Sequence, residues 1–159
     1  MELGDLYTEV VTEYSRSQKH RHPLENPDVT MRGVNPSCGD DISLALKVNK
    51  GIIEKAAITG SGCAISEASA AMMADLIEGK SVEEAKRLSG LFLGMIRKTV
   101  TDEDELEELQ DALALQNVSN MPARVKCAVL SWHTLEEALH KLEKTPAEDS
   151  GDPGTPQKG

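Results

Sequence analysis

The amino-acid sequence predicts an α+β fold, in which a small three-stranded antiparallel sheet is covered by helices on one face. Two observations predict it. Short segments with the alternation typical of strands are grouped between residues 29 and 59. Segments with helical spacing follow them for most of the remaining chain. Strands grouped together and helices grouped afterwards favour a sheet with its helices on one side.

Three segments are predicted as strands. Val29 to Val34 is a short one that ends at Asn35-Pro36. Asp41 to Asn49 alternates strictly, with aliphatic residues at every second position: Ile42, Leu44, Leu46 and Val48. Asn49-Lys50-Gly51 is a tight turn, and Ile52 to Thr59 returns as an antiparallel partner.

Helices are predicted before and after these strands in the chain. Asp5 caps a first helix, with an apolar face at Leu6, Val10 and Tyr14. Ala64 to Glu78 contains no Gly or Pro and ends at Gly79, a natural C-cap. A capping box, Ser81-Val82-Glu83-Glu84, then opens a third helix.

The end of the chain combines an acidic segment, a long helix and a tail. Thr101 to Glu108 is predicted as a solvated loop that leads into a short helix through Leu106, Leu109 and Leu113. The last helix begins near Pro122, which a first turn allows. We therefore expect a single domain over residues 1–144 and a disordered tail, rich in Pro, Gly and Asp, over residues 145–159.

Composition excludes several classes of function. The net charge is −10, and no basic stripe of the kind that binds phosphates is present, so nucleic acid is not an expected partner. No apolar run is long enough for a transmembrane helix, and the N-terminus lacks the basic and apolar regions of a signal peptide. The expected location is the cytoplasm, without a membrane partner.

Three cysteines are the first candidate functional residues. An odd number of cysteines without an export signal indicates reduced thiols rather than a disulfide framework. Cys38 lies in a predicted turn, Cys63 begins a helix, and Cys127 lies early in the last helix. Each is therefore near the end of an element, where its side chain can reach a shared cleft. The alternative is that they are small apolar residues of the core.

Asp40 favours a metal site. In an extended turn, residues two apart point to the same side, so Cys38 and Asp40 can approach one ion together. With Cys63 and Cys127 they form a set of three thiolates and a carboxylate, which suits zinc first and ferrous iron second. Such a set is anionic and needs a cation nearby, for which Arg124, three residues before Cys127, is the candidate.

The four histidines are not expected to be ligands. His20 and His22 belong to the predicted loop from His20 to Pro27. His133 and His140 are two turns apart on the last helix. Neither pair has the spacing of a two-histidine metal site. We predict that all four are surface residues.

Three motifs resemble those of a known family. They are Asn35-Pro36-Ser37-Cys38-Gly39-Asp40, Gly62-Cys63-Ala64-Ile65-Ser66 and Pro122-Ala123-Arg124-Val125-Lys126-Cys127. Together they resemble the signatures of the iron–sulfur cluster assembly family of IscU and the N-terminal part of NifU. Lys126 replaces the histidine of IscU scaffolds, and the region from Phe92 to Glu108 resembles an insertion of the SufU branch.

The resemblance implies a function. SufU proteins act as zinc-bound sulfur acceptors of a pyridoxal-phosphate cysteine desulfurase and pass the sulfur to a downstream iron–sulfur scaffold or apo-protein. Carried over by motif, Cys38 is the acceptor, Asp40, Cys63 and Cys127 are the other zinc ligands, and Arg124 supports the site or the docking. The alternative within the family is a scaffold for a labile [2Fe–2S] cluster, which an aspartate ligand would help to release.

Overall fold

The sheet is built from three consecutive strands, and helices precede and follow it. The computed structural model describes residues 9–149, with side chains described to residue 143. In chain order the elements are α1 (Glu9–Arg16), β1 (Val29–Asn35), β2 (Asp40–Asn49), β3 (Ile52–Ser61), α2 (Ala64–Ile77), α3 (Val82–Arg97), α4 (Glu103–Leu106), a 3₁₀ segment (Glu107–Asn120) and α5 (Pro122–Asp149). The sheet order is β1-β2-β3, antiparallel throughout. The predicted α+β class is confirmed.

The central strand β2 separates a buried face from a partly exposed one. Ile42, Leu44 and Leu46 are at most 1% exposed, while the residues between them are only half-buried. The buried face packs against α5, which also lies on β1, and α2 packs on β3. The alternation in the sequence therefore predicted which face of the sheet receives the helices.

The caps of two helices match the sequence motifs. The Ser81 Oγ accepts the N–H of Glu84 at 3.0 Å and so begins α3. The Glu84 carboxylate pairs with Arg87 instead of returning to Ser81, so one half of the predicted capping box forms. Gly79, with φ of +87°, lies directly after the α2 C-cap. The left-handed conformation that ends the helix favours glycine.

The acidic segment is more ordered than predicted. The Asp102 carboxylate accepts the N–H of Asp104 at 3.0 Å and caps the short helix α4, so the expectation of a loop over Thr101 to Glu108 is wrong for its centre. The continuation is a 3₁₀ segment that is interrupted at Gln110. Beyond that break, its buried apolar residues recur at every third position: Ala112, Leu115 and Val118. A 3₁₀ helix has three residues per turn, so this spacing places them on one face.

The loop between α1 and β1 is held at both ends by the sheet. The backbone oxygen of His20 accepts the N–H of Ile58 on β3 at 2.7 Å. Near the other end, the Asp28 N–H donates to the oxygen of Leu46 on β2 at 2.8 Å. We refer to residues 17–28 as the α1–β1 loop.

One histidine prediction is wrong. His20 is only 4% exposed, its Nδ1 lies 3.1 Å from the oxygen of Ala56, and its Nε2 lies 3.3 Å from Asp75. A buried imidazole is tolerated there because both ring nitrogens have hydrogen-bond partners. The other three histidines are exposed, as predicted.

The two ends of the chain lie partly beyond the described residues. The predicted cap at Asp5 is outside them, and so is the predicted tail from residue 150 onward. The backbone of α5 continues to Asp149, five residues past the predicted domain boundary at residue 144. Among the described helices, none has the length and apolar character that crossing a bilayer requires.

The largest side chain of the core connects three helices. Trp132 on α5 is 0% exposed and stacks on Phe92 of α3, with ring centroids 4.2 Å apart. Its indole N–H donates to the Ser69 Oγ on α2 at 2.9 Å, and that hydroxyl donates to the oxygen of Ala128 at 2.6 Å. Trp132 therefore contributes both apolar burial and a fully partnered polar group.

We expect Trp132→Ala to lower the free energy of unfolding by about 3–5 kcal/mol, because it leaves a large cavity and removes the donor to Ser69. Urea denaturation followed by far-UV circular dichroism measures the loss. The matched control is His140→Ala, an exposed position on the same helix, which should change stability by less than about 0.5 kcal/mol. A loss of under about 1 kcal/mol for Trp132→Ala would contradict this account of the core.

Candidate metal centre

The hairpin between β1 and β2 positions the first two candidate ligands. Asn35 and Asp40 are the last paired residues of the two strands. Within the turn, the Cys38 N–H donates to the oxygen of Asn35 at 3.2 Å, and the Gly39 N–H donates to the oxygen of Pro36 at 3.3 Å. Gly39 has φ of +72°, a conformation that glycine adopts without strain. The turn therefore has its own hydrogen bonds.

Cys63 is the N-cap of α2. Its sulfur accepts the N–H of Ser66 at 3.4 Å, and its φ and ψ are those of extended backbone. The approach to this cap is tight, because a Cβ on Gly60 would lie 2.2 Å from the oxygen of Asp41. The end of β3 thus delivers Cys63 to the same edge of the sheet as the hairpin turn.

Cys127, on α5, completes the group. It is fully buried, and its sulfur lies 3.0 Å from that of Cys38. Ligand atoms of Cys38, Asp40 and Cys127 all lie within 4.8 Å of one another, close enough to hold one metal ion. The Cys63 sulfur is not part of this compact group, although the Cys63 N–H donates to the Asp40 Oδ1 at 2.8 Å. The structure therefore brings three predicted ligands together and places the fourth beside them.

Asp40 is a fully buried carboxylate. Its Oδ1 accepts the Cys63 N–H at 2.8 Å, and its Oδ2 accepts the Asn35 amide at 3.3 Å. No lysine, arginine or histidine among the described residues forms an ion pair with it. Because a buried charge is costly without a counter-charge, this carboxylate fits a metal cation placed between it and the sulfurs.

The electrostatics of the thiols agree with that fit. Burial raises the pKa of the Cys127 thiol above its ordinary value, and hydrogen bonds with Cys38 and Cys63 and the charges of Cys63 and Asp40 raise it further. Without a bound metal, the Cys127 thiol therefore stays protonated at neutral pH. A bound divalent cation reverses this preference, because metal coordination deprotonates thiols.

Arg124 is the predicted supporting cation of the site. It lies in the first turn of α5 and is half-buried, but no ion pair links it to any described residue. That Arg124 compensates the charge of the ligands therefore stays a prediction. Lys126, next to Cys127, is exposed.

Two contributors to the site were not predicted. The Asn35 amide donates to Asp40 and lies 3.9 Å from the sulfur of Cys127. The Glu67 carboxylate accepts the N–H of Gly62, which precedes Cys63, at 3.2 Å. Asn35 could have been found as the strand residue that pairs with Asp40. Glu67 carries no such signal, since an acidic residue in a first helical turn is common.

Comparisons with known proteins identify the class of protein. The family model described as NifU-like N terminal domain matches residues 6–149. The zinc-dependent sulfurtransferase SufU of Bacillus subtilis is 40% identical over 141 residues, which are 89% of this chain and 94% of that protein. The iron–sulfur cluster assembly scaffold protein IscU of Thermotoga maritima is 40% identical over 139 residues, 87% of this chain and 96% of that protein. The chain therefore belongs to the NifU N-terminal domain family.

A similar solved structure supports this family membership. FiSufU of Fervidobacterium islandicum, assigned as an iron–sulfur cluster assembly scaffold for the SUF system, superposes with a TM-score of 0.80 and 34% identity, over 87% of this chain and 99% of that one. Within its family the chain is a SufU-type member, homologous to iron–sulfur cluster assembly proteins.

Gly62 packs closely against Asp40 and Ser66 at the candidate metal centre. Its φ lies outside the left-handed region, yet a Cβ there would be 2.7 Å from the Asp40 Oδ1 and 2.8 Å from the Ser66 Oγ. We expect Gly62→Ala to displace the carboxylate and to weaken zinc binding about tenfold or more, in competition with a chromophoric chelator. Gly90→Ala is the control, because a Cβ at this exposed α3 position meets nothing within 4 Å. Equal zinc affinities for the two variants would refute a tight packing of Gly62 on Asp40.

Proposed function

We propose that this protein is a zinc-dependent sulfur acceptor that works with a cysteine desulfurase during iron–sulfur cluster assembly. Cys38, Asp40, Cys63 and Cys127 would hold the zinc. The observation that carries the proposal is the buried Asp40 carboxylate, which lies within 4.8 Å of two cysteine sulfurs and has no cationic partner among the described side chains. The proposal is supported by the similarity to the Bacillus subtilis zinc-dependent sulfurtransferase.

The donor set matches the chemistry of zinc. Three sulfurs and one carboxylate are the number and type of ligands that tetrahedral zinc binds in proteins. When bound, zinc keeps the thiols deprotonated at neutral pH and contributes no redox chemistry of its own. The buried position of Cys127 and Asp40 limits access of water to two of the ligands.

Burial argues against Cys127 as the acceptor, and the capping bond of Cys63 favours Cys38 over Cys63. Cys127 is 0% exposed, so a partner cannot reach its sulfur without opening the core. The Cys63 sulfur is engaged as the N-cap of α2. Cys38 is half-buried in a turn whose neighbours Ser37 and Gly39 are exposed. A donor persulfide on another protein can therefore approach it from solvent.

The proposed transfer is a nucleophilic displacement at sulfur. The Cys38 thiolate attacks the outer sulfur of a persulfide carried by the desulfurase, and a new S–S bond forms as the S–S bond of the donor breaks. The donor cysteine leaves as a thiolate, so the outer sulfur and the charge are exchanged without net oxidation. The product is a Cys38 persulfide, which a downstream scaffold or apo-protein would then receive.

We further propose that Arg124 contributes to docking. It is half-buried in the first turn of α5, a few residues before Cys127. With no ion-pair partner among the described residues, its guanidinium can bind an acidic group of the desulfurase. This would orient the partner beside the metal centre rather than neutralise the ligands.

The second candidate function is a scaffold on which a [2Fe–2S] cluster is assembled as cargo. It is favoured by the similarity to the Thermotoga maritima scaffold protein. Thiolates bind such clusters, and an aspartate ligand would make the cluster labile enough to pass on. Both functions would use the same four residues.

We expect Cys38→Ala to abolish the stimulation of desulfurase turnover, because the acceptor thiolate is lost. Alanine production from cysteine by the desulfurase, without a reductant able to bypass the acceptor, measures it. His22→Ala, an exposed position on the α1–β1 loop, is the control and should stimulate turnover as wild type does. Full stimulation by Cys38→Ala would rule out the acceptor role.

Metal content separates the two candidate functions. We expect anaerobic purification to yield colourless protein with about one zinc per chain, because a single group of ligands is formed among the described residues. Elemental analysis and visible absorbance measure this. Brown protein that transfers its cluster to an apo-acceptor would instead support the scaffold function.

A further inference from the structure

An ion pair connects the α1–β1 loop to the metal centre. Arg21 follows the buried His20, and its guanidinium lies 3.0 Å from the Glu67 Oε2 in the first turn of α2. The side chains are only 17% and 22% exposed. By contrast, the Arg32–Asp41 pair on the sheet is 66% and 47% exposed. Screening by water, which makes most surface ion pairs weak, is therefore reduced for Arg21 and Glu67.

The same Glu67 oxygen also contacts the Gly62–Cys63 turn, which leads from β3 into α2. It accepts the N–H of Gly62 at 3.2 Å, so one carboxylate oxygen receives both the guanidinium and the backbone donor. The next residue, Cys63, donates its N–H to Asp40 at 2.8 Å. An ion pair followed by two hydrogen bonds from backbone N–H groups therefore leads from Arg21 through Glu67 and the Gly62–Cys63 turn to Asp40.

The backbone at Arg21 is ordered by the hydrogen bonds of the preceding residue, His20. His20, directly before it, accepts the Ile58 N–H through its backbone oxygen and places its ring against Ala56 and Asp75. The backbone of Arg21 is therefore already ordered when its side chain meets Glu67. An ion pair between ordered groups loses less conformational entropy than one between mobile side chains.

We propose that Arg21 and Glu67 are a positioning pair, which holds the Gly62–Cys63 turn where Cys63 and Asp40 can bind one metal ion. The inference rests on the metal centre proposed above. Neither residue is a ligand; each acts through the turn. Without Arg21, the Glu67 carboxylate lacks its counter-charge and turns toward solvent, and the Gly62 N–H loses its acceptor. The α1–β1 loop thereby becomes part of the support of the metal site.

The test measures metal binding rather than sulfur transfer. We expect Arg21→Gln and Glu67→Ala each to weaken zinc binding about tenfold in chelator competition, the lower end of the range for groups that orient ligands. Cobalt substitution should show altered visible absorbance in both. Arg21→Lys, which keeps the ion pair, should restore most of the affinity. The metal-free forms are unfolded in urea in parallel, so that a general loss of stability is seen directly.

Arg32→Gln is the matched control. It also removes one positive charge near the ligands, because Arg32 pairs with Asp41, next to Asp40, but it does not touch the Gly62–Cys63 turn. We expect its zinc affinity to stay within twofold of wild type. The proposal is overturned if Arg21→Gln and Arg32→Gln weaken binding equally, since net charge then explains the effect, or if Arg21→Gln leaves affinity and cobalt spectrum unchanged. Wild-type protein that takes up no zinc overturns the metal centre and this inference together.

Discussion

The burial of one carboxylate organises the functional end of this molecule. Asp40 is 0% exposed, and two protein donors, the Asn35 amide and the Cys63 N–H, reach its oxygens. These donors come from β1 and from the start of α2, so Asp40 joins segments that are distant in sequence. A buried carboxylate needs such donors and a nearby positive charge. The fold supplies the donors, and the adjacent sulfurs show where a metal cation would supply the charge.

Much of this arrangement was predictable because its signals are local. Alternation along β2 identified the buried face, and Ser81 and Gly79 marked the ends of two helices. The candidate ligands could be chosen by residue type and by position: Cys38 and Cys63 lie in turns between elements, where side chains can converge. Short-range rules determine strands, caps and turns, so a single sequence is enough to find them.

The features that could not be predicted depend on tertiary contacts, or on the three-residue spacing of a 3₁₀ helix, which differs from that of an α-helix. His20 lies among loop residues, but its ring is buried against Ala56, 36 residues away. The sequence predicts a loop and then a short helix after Thr101. The structure instead has a 3₁₀ segment after α4, whose apolar residues recur at a spacing of three. Arg124 lies three residues before Cys127 on α5, yet it forms no ion pair with a described residue. Spacing along a helix does not reveal which groups lie opposite.

The unequal burial of the ligands bears on whether a metal here would be structural or reactive. A metal bound by the hairpin turn, the α2 cap and α5 would join three segments, and its binding would stabilise the fold. The turn that carries Cys38, however, keeps two backbone hydrogen bonds that involve no ligand side chain, through Cys38 to Asn35 and Gly39 to Pro36. In the proposed site, Cys38 would therefore be able to leave a bound metal ion without disrupting the hairpin, while buried Cys127 and Asp40 would remain in place. A purely structural site would gain nothing from such a half-exposed, independently supported ligand, whereas an acceptor of sulfur requires one.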